Sequence, residues 1–351
     1  LETAKVKTKK YTYFIGIDVS KNTLDYAVMH QSKLLFHRQG KNQPADIRSF
    51  ITELKKLNKF RLATALFCAE YTGLYCNHLY SVFEKLNTSL AVEHPLHLKR
   101  SLGLIRLKSD KSDAIQIATY AQKNAGGLRL WAPRRPVIEE LANLVTFRNR
   151  LLAVSVALNT PVDEQSAFVK KQVQQQSLGL CKRSLSALKS DLSAIGLRVE
   201  SLINMDERLK RLHQLIASVP GVGTVTAVQV ILSTNEFRHI DHPKKFASYA
   251  GVAPFRKESG QMFRKARVSN QANRRMKSLL HLCALSAIRY DAEMKTYYEK
   301  KHNTEGKPKL AVINAVRYKL IRRIFACVKG DRVFVKKDES EEEVNGQHVV
   351  V

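Results

Sequence analysis

Residues 11–126 carry short apolar runs in an order that few architectures accommodate. Residues 11–18, 24–30 and 33–39 are rich in β-branched and aromatic side chains, separated only by Ser20, Lys21 and Asn22 and by Gln31 and Ser32. Gaps that short join antiparallel neighbours, so the three runs read as a meander. After them the period changes. Pro44 opens an amphipathic helix with Ile47, Phe50, Ile51, Leu54 and Leu57 on one side. Residues 62–69 read as a buried strand, 75–86 as a helix and 89–93 as another strand, and residues 111–124 as a helix with Ile115, Ile117 and Ala118 inward.

That succession, βββαβαβα, is the order of the ribonuclease H fold, an α/β architecture in which the strands at 11–18 and 62–69 are neighbours. Each ends in an acid. Asp18 follows Phe-Ile-Gly-Ile and Glu70 follows Ala-Leu-Phe-Cys-Ala, at a sheet rim where an acid after an apolar run has little structural reason to sit. Asp110 and Asp113 stand three apart at a helix start and can face one way. Crowded carboxylates raise one another's pKa unless divalent cations neutralise them, and Mg2+, with Mn2+ as the alternative, suits an all-oxygen set. Two such ions about 3.5 to 4 Å apart activate an attacking oxygen and stabilise the leaving oxygen of a phosphodiester. Taken singly, Asp110 also reads as a helix N-cap and Asp113 as a charge favourable to the helix dipole.

From Pro136 to about residue 215 the chain turns to long helices. Leu185, Leu188, Leu192, Ile195, Val199, Leu202, Asp206 and Leu209 follow alternating steps of three and four, a heptad seam broken only at Asp206. It fits either an oligomerisation arm or spacer, or an intramolecular helical hairpin bending near residues 160–164. Beyond it, Pro220-Gly221-Val222-Gly223 separates the end of one helix from the start of the next. Gly221 and Gly223 there would let backbone amides approach a phosphate, as helix-hairpin-helix modules do, or would simply form a tight turn.

Charge narrows the function. The 351 residues carry a formal net charge of +28, which on a folded protein points to a polyanionic partner such as double-stranded DNA, or else to a solvated basic surface. Between His242 and Tyr290 eleven lysines and arginines face one acid, Glu258. Arg256, Lys257, Arg264, Lys265, Arg267, Arg274 and Arg275 are the candidate nucleic-acid contacts there. Ser259, before Gly260 in this basic stretch, could accept a phosphoryl group, though such serines more often donate a hydrogen bond to phosphate. Ser269 reads as the N-cap of the next helix. His94, before Pro95, reads as a loop residue and His281 as a helix residue, and neither is given a role. Residues 338–343 reverse sign in an acidic stretch that reads, within 329–351, as a disordered tail. Five scattered cysteines form no Cys-x-x-Cys pair, which suits a reducing cytoplasm. The first ten residues read as a trimmed or tagged end rather than a signal peptide. No stretch of about 18 uncharged apolar residues suggests a membrane span; the candidate at 310–328 is cut by four basic residues.

Five motifs then stand in one order: Ile-Gly-Ile-Asp-Val-Ser-Lys at 15–21, Ala-Glu-Tyr-Thr-Gly at 69–73, Lys-Ser-Asp-Lys-Ser-Asp-Ala at 108–114, the Pro-Gly-Val-Gly turn, and Tyr-Ala-Gly-Val-Ala-Pro followed by Ser259-Gly260. From about residue 11 to 328 the chain resembles the DEDD-type insertion-sequence transposases, a group that includes the pilin-gene invertases. The resemblance implies a RuvC-like catalytic domain at 11–130, whose tetrad falls on Asp18, Glu70, Asp110 and Asp113 as metal-holding residues. It further implies a helical coiled-coil region at 136–214 and a mainly α transposase domain at 215–328, with an essential serine at Ser259. On this resemblance Ser259 attacks a phosphodiester with metal assistance in a homodimer or homotetramer, and a structured bridge RNA chooses the DNA. Two other functions remain compatible with the residues: a Holliday-junction-resolving nuclease that uses only the carboxylates and water, and a nucleic-acid-binding protein without chemistry.

Overall fold

A computed structural model gives the structure for residues 11–86, 88–102, 109–165, 167–259, 262–269 and 271–336, without the side chains of 102, 163, 165, 256–259 and 262–266. The acidic tail expected at 338–343 lies outside the described residues. The chain divides into two compact units, meeting between Pro133 and Arg134.

In the first unit β1 (Tyr13–Val19), β2 (Thr23–His30) and β3 (Lys33–Lys41) form the expected meander. Then follow α1 (Pro44–Lys55), β4 (Ala65–Glu70), α2 (Asn77–Leu86), β5 (Ser89–Glu93), α3 (Pro95–Leu102) and α4 (Asp110–Asn124). The sheet runs β3-β2-β1-β4-β5, with β1 antiparallel to β2 and parallel to β4, and β5 parallel to β4. This is the ribonuclease H topology. Alternation along β1 divides its side chains between two layers. Ile15 and Ile17 join Tyr26, Phe50, Phe67 and Phe83 under α1 and α2, whereas Phe14 meets Ala114, Ile117 and Ala118 of α4 on the opposite face.

His94 is in the loop expected for it, and helix α3 starts at the next residue, Pro95. Proline suits the first turn, where its missing N–H is not needed, and His94 Nδ1 accepts a hydrogen bond from the Leu96 N–H at 3.2 Å. The N-cap reading of Asp110 is corrected, because Asp110 is inside α4. The cap is Ser109, whose hydroxyl accepts from the Ser112 N–H at 3.2 Å while Ser112 Oγ accepts from the Ser109 N–H at 3.0 Å. Both aspartates therefore stand in the first turn, where the helix dipole favours anions.

The second unit contains α5 (Pro136–Gln165), α6 (Lys171–Met205), α7 (Glu207–Ala217), α8 (Thr224–Thr234), α9 (Pro243–Tyr249), the hairpin β6 (Pro254–Ser259) and β7 (Met262–Val268), then α10 (Arg274–Tyr290), α11 (Ala292–Glu299) and α12 (Lys309–Lys329). The helical region expected as a unit of its own shares one core with the rest: Ile138, Leu141, Val199 and Leu202 pack with Ile231, Phe246, Leu280 and Leu320.

α5 and α6 lie antiparallel within one chain. Arg198, late in α6, bonds Glu140 early in α5 at 2.6 Å, and Gln174, early in α6, reaches the Val162 carbonyl at 3.1 Å. The expected bend at 160–164 does not occur, because α5 continues through Pro161 to Gln165. The heptad seam is the less exposed side of α6, half-buried from Leu185 to Ile195 and buried at Val199 and Leu202. Its break at Asp206 is a helix boundary. The Asp206 carboxylate caps α7 by accepting from the Leu209 N–H at 2.9 Å and pairs with Arg135 at 2.7 Å. Arg135 also binds Glu236 at 2.6 Å, and Arg208 reaches the same carboxylate at 2.9 Å. Glu236 is buried in a run of three left-handed residues, Asn235, Glu236 and Phe237, with φ of 48°, 57° and 62°. A left-handed conformation costs a non-glycine residue about 1–2 kcal/mol, so the paired carboxylate offsets local strain.

The turn between α7 and α8 uses Gly221 (φ +86°) for packing. A Cβ there would stand 2.6 Å from the Cys283 carbonyl oxygen and 2.8 Å from the Ala287 nitrogen, so the room it saves is taken by α10. At Gly223 nothing lies within 4 Å of a built Cβ. By length and composition α5 over Pro136–Val162 is long and apolar enough to cross a membrane, although it contains no run of 18 uncharged residues. Arg148 and Arg150 interrupt its middle, and α6 packs along it.

Candidate active site

Register and parity bring the acids together. β1 pairs with β4 up to Ile17↔Ala69, so the next step sets Asp18 beside Glu70. Both have the parity of Gly16 and Cys68 and so point to the α4 side. Gly16 lets α4 settle there. A Cβ at this position would lie 2.0 Å from the Ala114 carbonyl oxygen and 2.3 Å from the Ala118 nitrogen, so main chain of α4 rests directly on β1. The helix start that carries Asp110 and Asp113 is thereby brought to the end of β1.

The electrostatic consequence is visible at Asp18. Burial, followed by the charges of Asp113, Glu70, Asp110 and Asp25, pushes its carboxyl up to about 6. The other three acids expected from the sequence therefore all act on Asp18. Among the described residues no three carboxylate, imidazole or thiolate groups yet close around a single point as a metal cage. The donor chemistry nevertheless suits a hard divalent cation: every ligand offered is a carboxylate oxygen, and no ion pair to Asp18, Asp110 or Asp113 forms among the described residues.

Two further acids extend the row and were not singled out from sequence. Asp25 stands opposite Asp18 in the hairpin register, is buried, and is held by His37 Nε2 at 2.8 Å and Gln39 Nε2 at 3.1 Å. Glu93 pairs with Glu70 and bonds His97 Nδ1 at 3.1 Å. Counting residues across the Ser20–Asn22 turn would have revealed Asp25, because a hairpin that joins Val19 to Leu24 must join Asp18 to Asp25.

The serine belongs to the second unit. Ser259 ends β6 and pairs with Met262, so it occupies the last strand position before the hairpin tip at 260–261, which lies outside the described residues. The pairing slips by one residue between Phe255 and Lys257. Arg256, Lys257, Arg264 and Lys265 fall on these strands, but their side chains lie outside the described residues. Arg267 and Arg274 are exposed, and Arg275 is half-buried with its Nε unbonded among the described residues. Ser269 accepts from the Gln271 N–H at 3.1 Å but caps no helix; Asn273 does so, accepting from the Met276 N–H at 2.9 Å, because α10 starts at Arg274.

Two family models match this arrangement: a transposase model of the DEDD IS110 type over residues 15–164, which holds the four acids, and one described as "Transposase IS116/IS110/IS902 family" over residues 213–299, which holds the serine hairpin. The chain belongs to the IS116/IS110/IS902 transposase family. Members of this family act in DNA recombination and transposition of insertion sequences, and the chain is a DNA-cleaving enzyme of that general kind. It is 25% identical over 335 residues to the pilin gene-inverting protein of Moraxella bovis, covering 92% of this chain and 98% of that one. It is 21% identical to the transposase for insertion sequence element IS1111A of Coxiella burnetii, covering 81% and 80%. The Thermus thermophilus RuvC bound to a Holliday junction substrate aligns to 34% of the chain and all of its own, at 16% identity and a TM-score of 0.27, too slight a likeness to bear on the reaction.

Proposed function

We propose that this transposase cuts and rejoins DNA through two groups of residues, the carboxylates Asp18, Glu70, Asp110 and Asp113 and the hydroxyl of Ser259. The observation that carries the proposal is the placement of Asp18 beside Glu70 at the rim of the sheet with the α4 start that bears Asp110 and Asp113 seated on Gly16, because acids gathered there are poor structural elements and good cation ligands. Mg2+, or Mn2+ in its place, would be held by those four side chains and would neutralise charge that develops on the phosphate. Ser259 Oγ bonds to phosphorus and the P–O bond to the departing strand breaks. The hydroxyl proton leaves for solvent, the departing oxygen takes one up, and the energy of one phosphoester is conserved in another for rejoining.

The cations of 256–275, with Gly223 open at the start of α8, supply a bed for the backbone of double-stranded DNA and of a structured bridge RNA. Base pairing between that RNA and the DNA would choose the target, while the protein grips shape and phosphate. A homodimer or homotetramer in the cytoplasm is the working form proposed with it, the carboxylates lying in the first unit and the serine in the second.

Incubation with Mg2+ and a DNA junction should trap a protein–DNA adduct that Ser259→Ala abolishes. Unlinked cleavage products from Ser259→Ala would instead favour the junction-resolving nuclease that uses water.

A further inference from the structure

Arg317 on α12 is nine-tenths buried, yet no carboxylate pairs with it among the described residues. Elsewhere the protein neutralises such groups. Arg135 has Asp206 and Glu236, Arg38 has Asp46 and Glu53, and Arg323, on the same helix, has Asp291 and Glu293. Among the described residues Arg317 has only neutral partners: its Nη2 donates to His281 Nδ1 at 2.5 Å and its Nη1 reaches Asn314 Oδ1 at 3.4 Å, while its Nε has no partner there. Burial alone holds this guanidinium below the usual arginine range. A buried cation without an anion is destabilising, and its natural complement is a ligand.

His281 fixes what the ligand meets. Its Nδ1 accepts from a cation, so its own proton sits on Nε2 and is available as a donor. Arg274, Lys277 and His281 recur at i, i+3 and i+7 on α10 and share one face of the helix. Lys277 lies beside Gly251, its Cδ 3.6 Å from where a Cβ on that glycine would stand. Asn314 is fixed to the same loop by its bond to the Val252 carbonyl at 2.8 Å, two residues before β6 begins.

We propose that Arg317 and His281 form a seat for one phosphodiester of a nucleic-acid backbone, which continues along Lys277 and Arg274 beside the hairpin that bears Ser259. The guanidinium supplies charge and N–H donors, and the imidazole supplies Nε2–H. This deepens the nucleic-acid reading of the basic segment and rests on it. The repeated cations along α10 favour a polymer over a free phosphate ion, because successive cations one turn apart, about 5.4 Å, meet successive charges.

Fluorescence anisotropy of the full-length protein with a labelled DNA duplex, titrated at several KCl concentrations, tests the proposal. Arg317→Met should weaken binding at least tenfold for unrelated sequences and lower the salt slope by about one, while the unbound protein melts at the wild-type temperature or above. Arg317→Lys should keep the slope yet weaken binding, since it keeps the charge and loses the planar fork. Unchanged affinity and slope in a folded Arg317→Met protein would overturn the seat, as would a lower melting temperature in both variants without loss of binding. If the wild type binds no polynucleotide, the nucleic-acid reading itself falls. Inorganic phosphate that raises the melting temperature of wild type but not of Arg317→Met would then mark a seat for free phosphate, against the polymer proposed.

Discussion

Replacing Gly16 by alanine would set a methyl carbon 2.0 Å from the Ala114 carbonyl oxygen and 2.3 Å from the Ala118 nitrogen. Ordinary contact begins near 3.4 Å, so α4 would have to withdraw from β1 by about 1.4 Å. Both obstacles are main chain, and no rotamer change relieves them. Overpacking of this kind costs about 1–3 kcal/mol, and two backbone clashes place Gly16→Ala near the upper end, with a fall in melting temperature of roughly 10 °C. The effect on chemistry should be larger than the effect on folding. Asp110 and Asp113 ride on α4 while Asp18 and Glu70 stay on the sheet, and displacement of reacting groups by about 1 Å lowers rates by about 100-fold. Thermal melting by circular dichroism, alongside adduct formation on a DNA junction at a temperature where the variant remains folded, separates the two quantities. A folded Gly16→Ala protein that reacts at the wild-type rate would refute the view that the helix seat sets the spacing of the acids.

Three further outcomes follow from the same structure. Asp18→Asn should stabilise the metal-free protein at pH 7.5: the raised pKa corresponds to at most about 3 kcal/mol of burial and charge crowding of the carboxylate together, reduced to roughly 1–2 by access of water, and a lower melting temperature in the variant would contradict that penalty. Gly221→Ala, left-handed and pressed against α10, should destabilise by about 3 kcal/mol while leaving the salt slope for DNA intact; a stable variant with a reduced slope would return Gly221 to the phosphate role. Hydrogen bonds from Arg135 hold the Asp206 carboxyl below its ordinary range, so its contribution is complete above about pH 5 and fades as the pH falls further. Acid titration of Asp206→Asn should therefore lack part of the wild-type stability loss below about pH 5, and an identical acid profile would exclude the pair as its source.

The first unit was readable from sequence because its order of elements is local information: apolar runs, turn residues and helix periods lie next to one another along 11–126. Asp18 and Glu70 were legible as acids after apolar strands. Asp25 was not, since nothing marks a polar residue inside a strand as a neighbour of the site until the register across the turn is fixed. The seam on α6 was readable as a heptad, but its partner was not, because leucines at three-and-four spacing suit a second copy as well as α5. Asp206 looked like a flaw in that seam and is a cap and an ion-pair partner. Arg317 left no local signature: its burial depends on α10 and the Val252 loop, far away in sequence.

The junction of Arg135, Asp206 and Glu236 gathers the beginning of α5, the end of α6 and the residues after α8 under one guanidinium. The helical pair is thus clamped at its root, and its far end carries no comparable anchor among the described residues. The direction of the helical pair is thus set at its base, and its length is set separately. Seven residues added to each helix restore the facing positions two turns on, so the reach could grow by roughly 10 Å without disturbing the clamp or the core beneath it.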